Sequence, residues 1–450
     1  MEPELSSLQG VRLEPHPTAR NKAVTSRSFS PGDCILTVRA FATALIPSFK
    51  GKRCDRCLRL ESSGIDLKRC SGCASYYYCG PQCQTSQWSA HRSYCKNIQR
   101  FQASAEYQKM ETHERMDSML LTHLLAELRS NHTAECTQQL STFLSLLPRP
   151  DIANPPPICA MNGRAGTIPD VNDLFSRFSN NNFAVHSHLT TVAHGVFPLA
   201  SRLFNHSCLP NAAARYILSE DAAPRMEIVA LQDIGAGEEI CVPYLDPALL
   251  QSRQQGFQLT YGFTCTCPSC SVLDSIGRVP PPPSSREDQE SLARALRTHA
   301  FPTSPTSTSP DFVLPAGPRT PPDVLLAALN ESYLTSLSES FSAASHDGPY
   351  SDALNVGMTL LALYCTIYPQ NYPQIGVHLL EMAKTAWNAF VTADQNVADG
   401  ATRTENAGLV DRAQLYLGLS RQVLNVFGRE GDDGGPLDEI ETLQGLLSNV

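Results

Sequence analysis

Asn205-His206-Ser207-Cys208-Leu209-Pro210-Asn211 is the stretch on which the reading of this chain turns. It is answered downstream by Tyr261-Gly262-Phe263-Thr264-Cys265-Thr266-Cys267-Pro268-Ser269-Cys270. Cys265, Cys267 and Cys270 offer three thiolates at short spacing, one fewer than a structural zinc ion takes. Cys208 is an apt fourth, and a metal shared in this way clamps the 205–211 loop against a segment far along the chain. Between the two stretches lie Gly237-Glu238-Glu239-Ile240 and Tyr244-Leu245-Asp246.

A denser cysteine cluster lies upstream, with Cys54-x2-Cys57, Cys70-x2-Cys73, Cys79-x3-Cys83 and His91-x3-Cys95. Eight sulfur or imidazole ligands at these spacings fit two tetrahedral zinc ions. Cys-x2-Cys is a tight knuckle, while Cys-x3-Cys and His-x3-Cys suit one helical turn. Few large apolar residues separate the ligands, so zinc is expected to supply much of this module's folding energy. Sixteen cysteines also suit a disulfide framework, but no apolar export segment follows Met1. The most apolar run, Val356 to Tyr368, is too short for a bilayer, which takes ~20 residues. The expectation is a soluble intracellular protein with reduced cysteines.

The chain is 450 residues long, room for roughly three domains at about 150 residues each. Its formal charge is −9, so it does not coat nucleic acid by charge alone. Apolar residues at 42% and charged residues at 18% exclude global disorder. Residues 50–100 stand apart, with ten Lys/Arg against three Asp/Glu, a formal +7. Seven metal-bound thiolates on two dications bring that nearer +4. The resulting face is either solvated or a site for a phosphate or a protein partner, with Lys52, Arg53, Arg56 and Arg59 as its candidates.

Ala23-Val24-Thr25 and Cys34 to Val38 read as strands around the turn Ser30-Pro31-Gly32-Asp33. Met119, Leu120, Leu124, Leu125 and Leu128 recur at helical spacing within Met116–Leu147. Between Val272 and Pro322, Pro280 to Pro283 and the Ser/Thr/Pro run Phe301 to Pro310 mark a surface linker or long loop. Only Ser284–His299 reads as helix there. Helices follow at Asp323–Ser342, Tyr350–Thr366, Pro373–Thr392, Gly408–Phe427 and Leu437–Leu447, with Gly428 where a left-handed C-terminal cap belongs. Cys34, Cys136, Cys159, Cys241 and Cys365 read as small core residues. His186, His188, His194 and His378 read as structural or surface histidines.

From Cys54 through Tyr76-Tyr77-Tyr78, Cys83, Trp88 and His91 to Cys95, the upstream cluster resembles a MYND zinc finger. With the three downstream motifs in order, the chain resembles the SET and MYND domain (SMYD) family of protein lysine methyltransferases. The likeness runs over nearly the whole chain and implies an α+β fold. A β-rich split SET domain (1–50 and 179–250) would enclose the finger (51–97) and a helical insert (98–178). A zinc-bearing post-SET segment (251–271), the linker (272–322) and an all-α, tetratricopeptide-like C-terminal domain (323–450) would follow. No tetratricopeptide signature occurs at its usual period.

By this resemblance, Cys54, Cys57, Cys79 and Cys83 hold one zinc ion, and Cys70, Cys73, His91 and Cys95 a second. Cys208, Cys265, Cys267 and Cys270 hold a third. S-adenosylmethionine would be gripped by Asn21, Asn181 and Asn205 at its methionine end, with the His206 backbone and Phe263 on adenine. Tyr261 would touch the cofactor and, with Phe197, line the lysine channel, and Tyr244 would be the catalytic tyrosine. Each has a plainer reading too: the asparagines as turn residues, Tyr244 as a strand aromatic, Phe263 as core. Two departures from the family pattern stand out. Arg20-Asn21-Lys22 falls where a glycine-x-glycine turn is usual, which bears on how closely the backbone approaches the cofactor. Pro243, before Tyr244, removes a backbone donor.

The leading expectation is therefore an S-adenosylmethionine-dependent lysine methyltransferase of histone or other proteins, nuclear or cytoplasmic, monomeric and off the membrane. The finger would meet a proline-rich peptide or DNA. The alternative is a non-catalytic MYND adaptor that recruits transcription partners.

Overall fold

The computed structural model describes residues 10–61, 65–150, 154–162, 169–220, 222–302, 312–395 and 402–449. The chain opens with a hairpin, Val11–Glu14 antiparallel to Lys22–Thr25. Two antiparallel three-stranded sheets follow from residues far apart in sequence. Cys34–Arg39 pairs with Arg225–Ala230, which pairs with Ala212–Ile217. Ala42–Leu45 pairs with Thr190–Val196, which pairs with Asn182–Ser187. Alternation explains the first sheet: Leu36, Met226, Ile228 and Tyr216 are buried while Thr37 and Glu227 face outward or sideways. One apolar core covers both sheets and takes in Phe197, Phe204 and Ile240.

The cysteine module and the helices after it enter between strands Ala42–Leu45 and Asn182–Ser187. They share a single core: Tyr76, Tyr78 and Tyr94 are fully buried beside Leu120, Leu121 and Leu124 of helix Thr112–Ser130. Tyr76 Oη lies 2.5 Å from His123 Nε2, and His123 Nδ1 lies 2.6 Å from the Thr43 carbonyl. Beside the metal sites expected to support the module, the tyrosines between the ligands pack into a core made largely by the following helix. Helical spacing over Met116–Leu147 also resolves into two helices, Thr112–Ser130 and Ala134–Leu144. Thr133 caps the second, its side chain accepting from the Cys136 amide.

The C-terminal region is helical, from Arg286–Ala300 to Pro436–Leu447. Asp323–Ser342, expected as one helix, is a 3₁₀ turn Asp323–Leu329 followed by helix Glu331–Asp347. Asn330 divides them by accepting from the Ser332 amide and capping the second. Segment 272–322, expected as a linker, instead supplies Leu292, Leu296, Phe301 and Phe312 to the C-terminal core. Most of its Ser/Thr/Pro run, 303–311, lies outside the described residues. Gly428 closes helix Thr402–Phe427 at φ +81°, the conformation expected of it. Cys34, at the first position of strand Cys34–Arg39, is exposed, and Cys241 is only partly buried, so neither is the fully buried core residue expected. No helix among the described residues is long and apolar enough to cross a membrane.

Candidate functional site

Twelve ligands gather into three groups of four, with ligand atoms in each group within 4.8 Å of one another. They are Cys54, Cys57, Cys79 and Cys83; Cys70, Cys73, His91 and Cys95; and Cys208, Cys265, Cys267 and Cys270. All the cysteines are unpaired, and most of these are buried. Four thiolates, or three with an imidazole, at that separation match the donor set of a structural zinc ion. In the second group His91 presents Nε2, 3.4 Å from Cys73 Sγ.

The third group locks two distant pieces together. Cys208 Sγ lies 3.6 Å from Cys270 Sγ and 4.0 Å from Cys265 Sγ. Helix Arg253–Tyr261 braces it: the Gln254 side chain donates to the Cys265 carbonyl and accepts from the Cys265 amide. Arg253, almost fully buried, donates to the Pro247 carbonyl and to Ser269 Oγ. Gly262 ends the helix at φ +73°, where a Cβ would press on Pro150, and this turn sends Tyr261 and Phe263 to the same side.

On the other flank, Asn205–His206 pairs in parallel with Cys241–Val242. This short ladder brings Tyr244 beside His206. The Tyr244 amide donates to His206 Nδ1 at 2.9 Å, and its hydroxyl donates to the Phe204 carbonyl at 2.6 Å. Its ring centre lies 5.0 Å from Tyr261 and 6.4 Å from Phe263. Phe263 stacks on the buried Phe257 ring at 5.2 Å. Burial, reinforced by Tyr261, Cys241 and Glu239, pushes the Tyr244 phenol well above its ordinary range, and burial lifts Tyr261 to about 12. Both stay protonated near neutral pH.

Asn205 Nδ2 donates to the Asn21 carbonyl and to Glu239 Oε1, both at 2.8 Å. Asn21 in turn accepts from Arg202. The turn without glycines thus still sits against the 205–211 loop. Asn181 donates to the Arg177 carbonyl and to Asn180, and its own carbonyl lies 3.4 Å from Ser201 Oγ on helix Pro198–Leu203. Tyr244, Tyr261, Phe263 and His206 therefore form one aromatic group, while Asn21, Asn181 and Asn205 converge around helix Pro198–Leu203. Phe197 is fully buried and its ring faces Phe183 and Tyr216 rather than Tyr261; Tyr244 touches the apolar clusters on both sides. The roles of Glu239, Arg202 and the His206 ring escaped the sequence reading. Glu239 was visible in Gly237-Glu238-Glu239, but only the strand pairing reveals its partner.

Two of the four candidates on the basic face of the cysteine module are engaged by acidic residues, while Lys68, Arg69, Arg92, Lys96 and Arg100 are exposed. Arg53 is buried and ion-paired with Asp432, and Arg59 pairs with Glu220 and Asp433. Lys52 remains exposed and Arg56 half-buried. Acidic residues far along the chain, invisible to local charge counting, decide this.

Interleaved sheets and a loop–tyrosine ladder, with a four-cysteine lock behind it, accompany a match of residues 23–245 to the SET domain family. Within that class, the chain is similar to SET and MYND domain proteins. It is 27% identical over 274 residues to histone-lysine N-methyltransferase ASHR1 of Arabidopsis thaliana, covering 55% of this chain and 52% of that protein. With histone-lysine N-methyltransferase SMYD3 of Homo sapiens it is 25% identical over 407 residues, 84% of this chain and 88% of the relative. With N-lysine methyltransferase SMYD2 of Bos taurus it is 26% identical over 262 residues, 55% and 57% respectively. The matched stretch thus spans about half of the Arabidopsis and bovine proteins.

Proposed function

We propose that this chain is an S-adenosylmethionine-dependent protein lysine N-methyltransferase. The observation that carries the reading is the setting of Tyr244. Its hydroxyl is fixed on the Phe204 carbonyl, its amide on His206, and its ring stands against Tyr261. The cofactor supplies an electrophilic methyl group on a sulfonium. In-line transfer to an amine asks the protein chiefly to align, desolvate and stabilise charge. A phenol held protonated and already oriented is a polar group aimed at the transferring methyl, for which a CH···O contact is the fitting interaction. It is no general base, so the lysine ammonium loses its proton to water.

Asn181 and Asn205 commit their amide nitrogens to protein acceptors, and their Oδ1 atoms suit the ammonium of the methionine end. Asn21 borders the same place. The His206 backbone and Phe263 take the adenine; Tyr261 and Phe197 line the lysine channel from the two apolar clusters that meet at Tyr244. The three four-ligand groups hold three zinc ions, two in a MYND finger inserted into a split SET domain. The C-terminal helices form a tetratricopeptide-like wall of the substrate cleft. A lysine in a basic protein segment such as a histone tail is the substrate class, in the nucleus or cytoplasm, with the enzyme a monomer. The finger's exposed surface, Lys52 included, serves a peptide or nucleic-acid partner. The adaptor alternative is not favoured, since the relatives are named as methyltransferases.

Radiolabelled methyl transfer to histones and a peptide library, beside calorimetry with the cofactor, tests the reading. Tyr244→Phe should lower turnover by about 2–4 kcal/mol in barrier, roughly 30- to 1,000-fold, and leave cofactor affinity nearly unchanged. Undiminished transfer by Tyr244→Phe would refute the role of Tyr244. A wild-type protein that binds no cofactor would return the adaptor reading.

A further inference from the structure

The family likeness gives the backbone of His206 a task and leaves its imidazole without one. The ring is nevertheless held at both ends. The Tyr244 amide donates to Nδ1 at 2.9 Å, so Nδ1 carries no hydrogen, and the hydrogen sits on Nε2. Nε2 lies 3.2 Å from Cys208 Sγ, a hydrogen-bond distance for a thiolate acceptor. The faces are fixed as well, with the Phe257 ring centre at 4.4 Å and that of Tyr244 at 5.3 Å. Pro243 has no N–H, so the Tyr244 amide is the first backbone donor after strand Cys241–Val242, and it points to this ring.

We propose that the His206 side chain is a positioning residue that couples the third zinc centre to Tyr244 through Cys208 Sγ···H–Nε2 and Nδ1···H–N of Tyr244. This rests on the methyltransferase reading. Four thiolates on one dication leave a net −2, and an N–H donor to sulfur relieves part of that charge while transmitting the metal's position to the tyrosine backbone. The zinc centre then acts on the chemistry without touching substrate. It fixes Cys208, Cys208 orients the imidazole, and the imidazole fixes where the Tyr244 main chain, and hence its hydroxyl, stands.

The test uses the full chain loaded with cadmium-113 in place of zinc. The third centre's resonance is identified as the one lost in Cys208→Ser. His206→Phe keeps a ring against Phe257 and removes both nitrogens. The expected result is a displaced third resonance with both finger resonances unmoved. Chelator should release the third metal about 10- to 100-fold faster, and turnover should fall by a similar factor while cofactor affinity changes little. An unmoved resonance with unchanged release overturns the link to the metal; a moved resonance with unchanged turnover overturns the link to Tyr244. Imidazole nitrogen spectra of the wild type decide independently of whether the variant folds. The Nε2–H form is required, and an Nδ1–H form would sink the proposal. Wild-type protein that binds no cofactor would remove the methyltransferase reading, while the cadmium and imidazole spectra would still decide the relay.

Discussion

Glu430 is 6% exposed, with one carboxylate oxygen accepting from the Leu189 amide and the other buried without a partner. Burial raises its pKa to about 7, against the Leu189 N–H and Arg215, which hold it down. The unfolded chain releases this proton near 4.5, so between about 4.5 and 7 the folded state binds more protons. Stability therefore falls as pH rises through that window, by at most about 3 kcal/mol. Glu430→Gln should flatten the dependence; denaturant midpoints measured at the two ends of the window check it, and equal slopes in both proteins would dismiss it. Nothing in the neighbourhood of Glu430 in sequence marks it, since its surroundings are set by Leu189 from a hairpin turn and Arg215 from strand Ala212–Ile217. The twelve ligands were legible for the opposite reason. Metal coordination demands particular residue types at particular spacings, whereas a carboxyl made unusual by burial looks like any other glutamate, and Tyr244 was singled out only by family resemblance.

Among elements, the three ligand groups make the most direct prediction. Metal analysis should find three zinc ions per chain. Cys208→Ser should lose one and spare the finger, because the other groups draw no ligand from the 205–211 loop. The docking of the finger on helix Thr112–Ser130 makes a second. His123→Leu would remove the ring-nitrogen partner of the buried Tyr76 hydroxyl and should cost about 1–3 kcal/mol in unfolding free energy, much of it recovered by adding Tyr76→Phe. A double mutant no more stable than His123→Leu would show that the hydroxyl is not what suffers. Helix positions were largely readable because apolar residues recur at 3.6-residue spacing and Pro373 and Gly428 mark ends. The breaks at Thr133 and Asn330 were missed because apolar periodicity runs across both. Only the capping hydrogen bonds, Thr133 to Cys136 and Asn330 to Ser332, reveal them. The linker was misjudged from its prolines, since composition cannot show that Phe301 and Phe312 pack on each other at 4.9 Å inside a helical core.

At the scale of the molecule, the turn after helix Thr402–Phe427 ties three parts together. Gly431 donates from its amide to the Tyr216 carbonyl at the end of strand Ala212–Ile217. Asp432 accepts from Ser187 of the second sheet, from the Leu60 amide and from the Arg53 guanidinium of the finger. Asp433 reaches Arg59. Two ion pairs to the same module thus differ in surroundings. Arg53 and Asp432 side chains are 7% and 8% exposed, while Asp433 is 97% exposed. Removing one member of a buried pair leaves a charge without water or partner, at about 3–5 kcal/mol, whereas a pair open to solvent is screened and contributes little. Asp432→Ala should therefore destabilise the whole chain by that amount and loosen the finger, and Asp433→Ala should leave the unfolding midpoint nearly in place. Denaturant unfolding of both variants, with proteolysis around residues 50–60 as a local readout, separates the two. If they proved equally mild, the finger would be held by its aromatic contacts to helix Thr112–Ser130 alone. If they proved equally severe, the exposed Arg59–Asp433 pair would matter more than solvent screening allows.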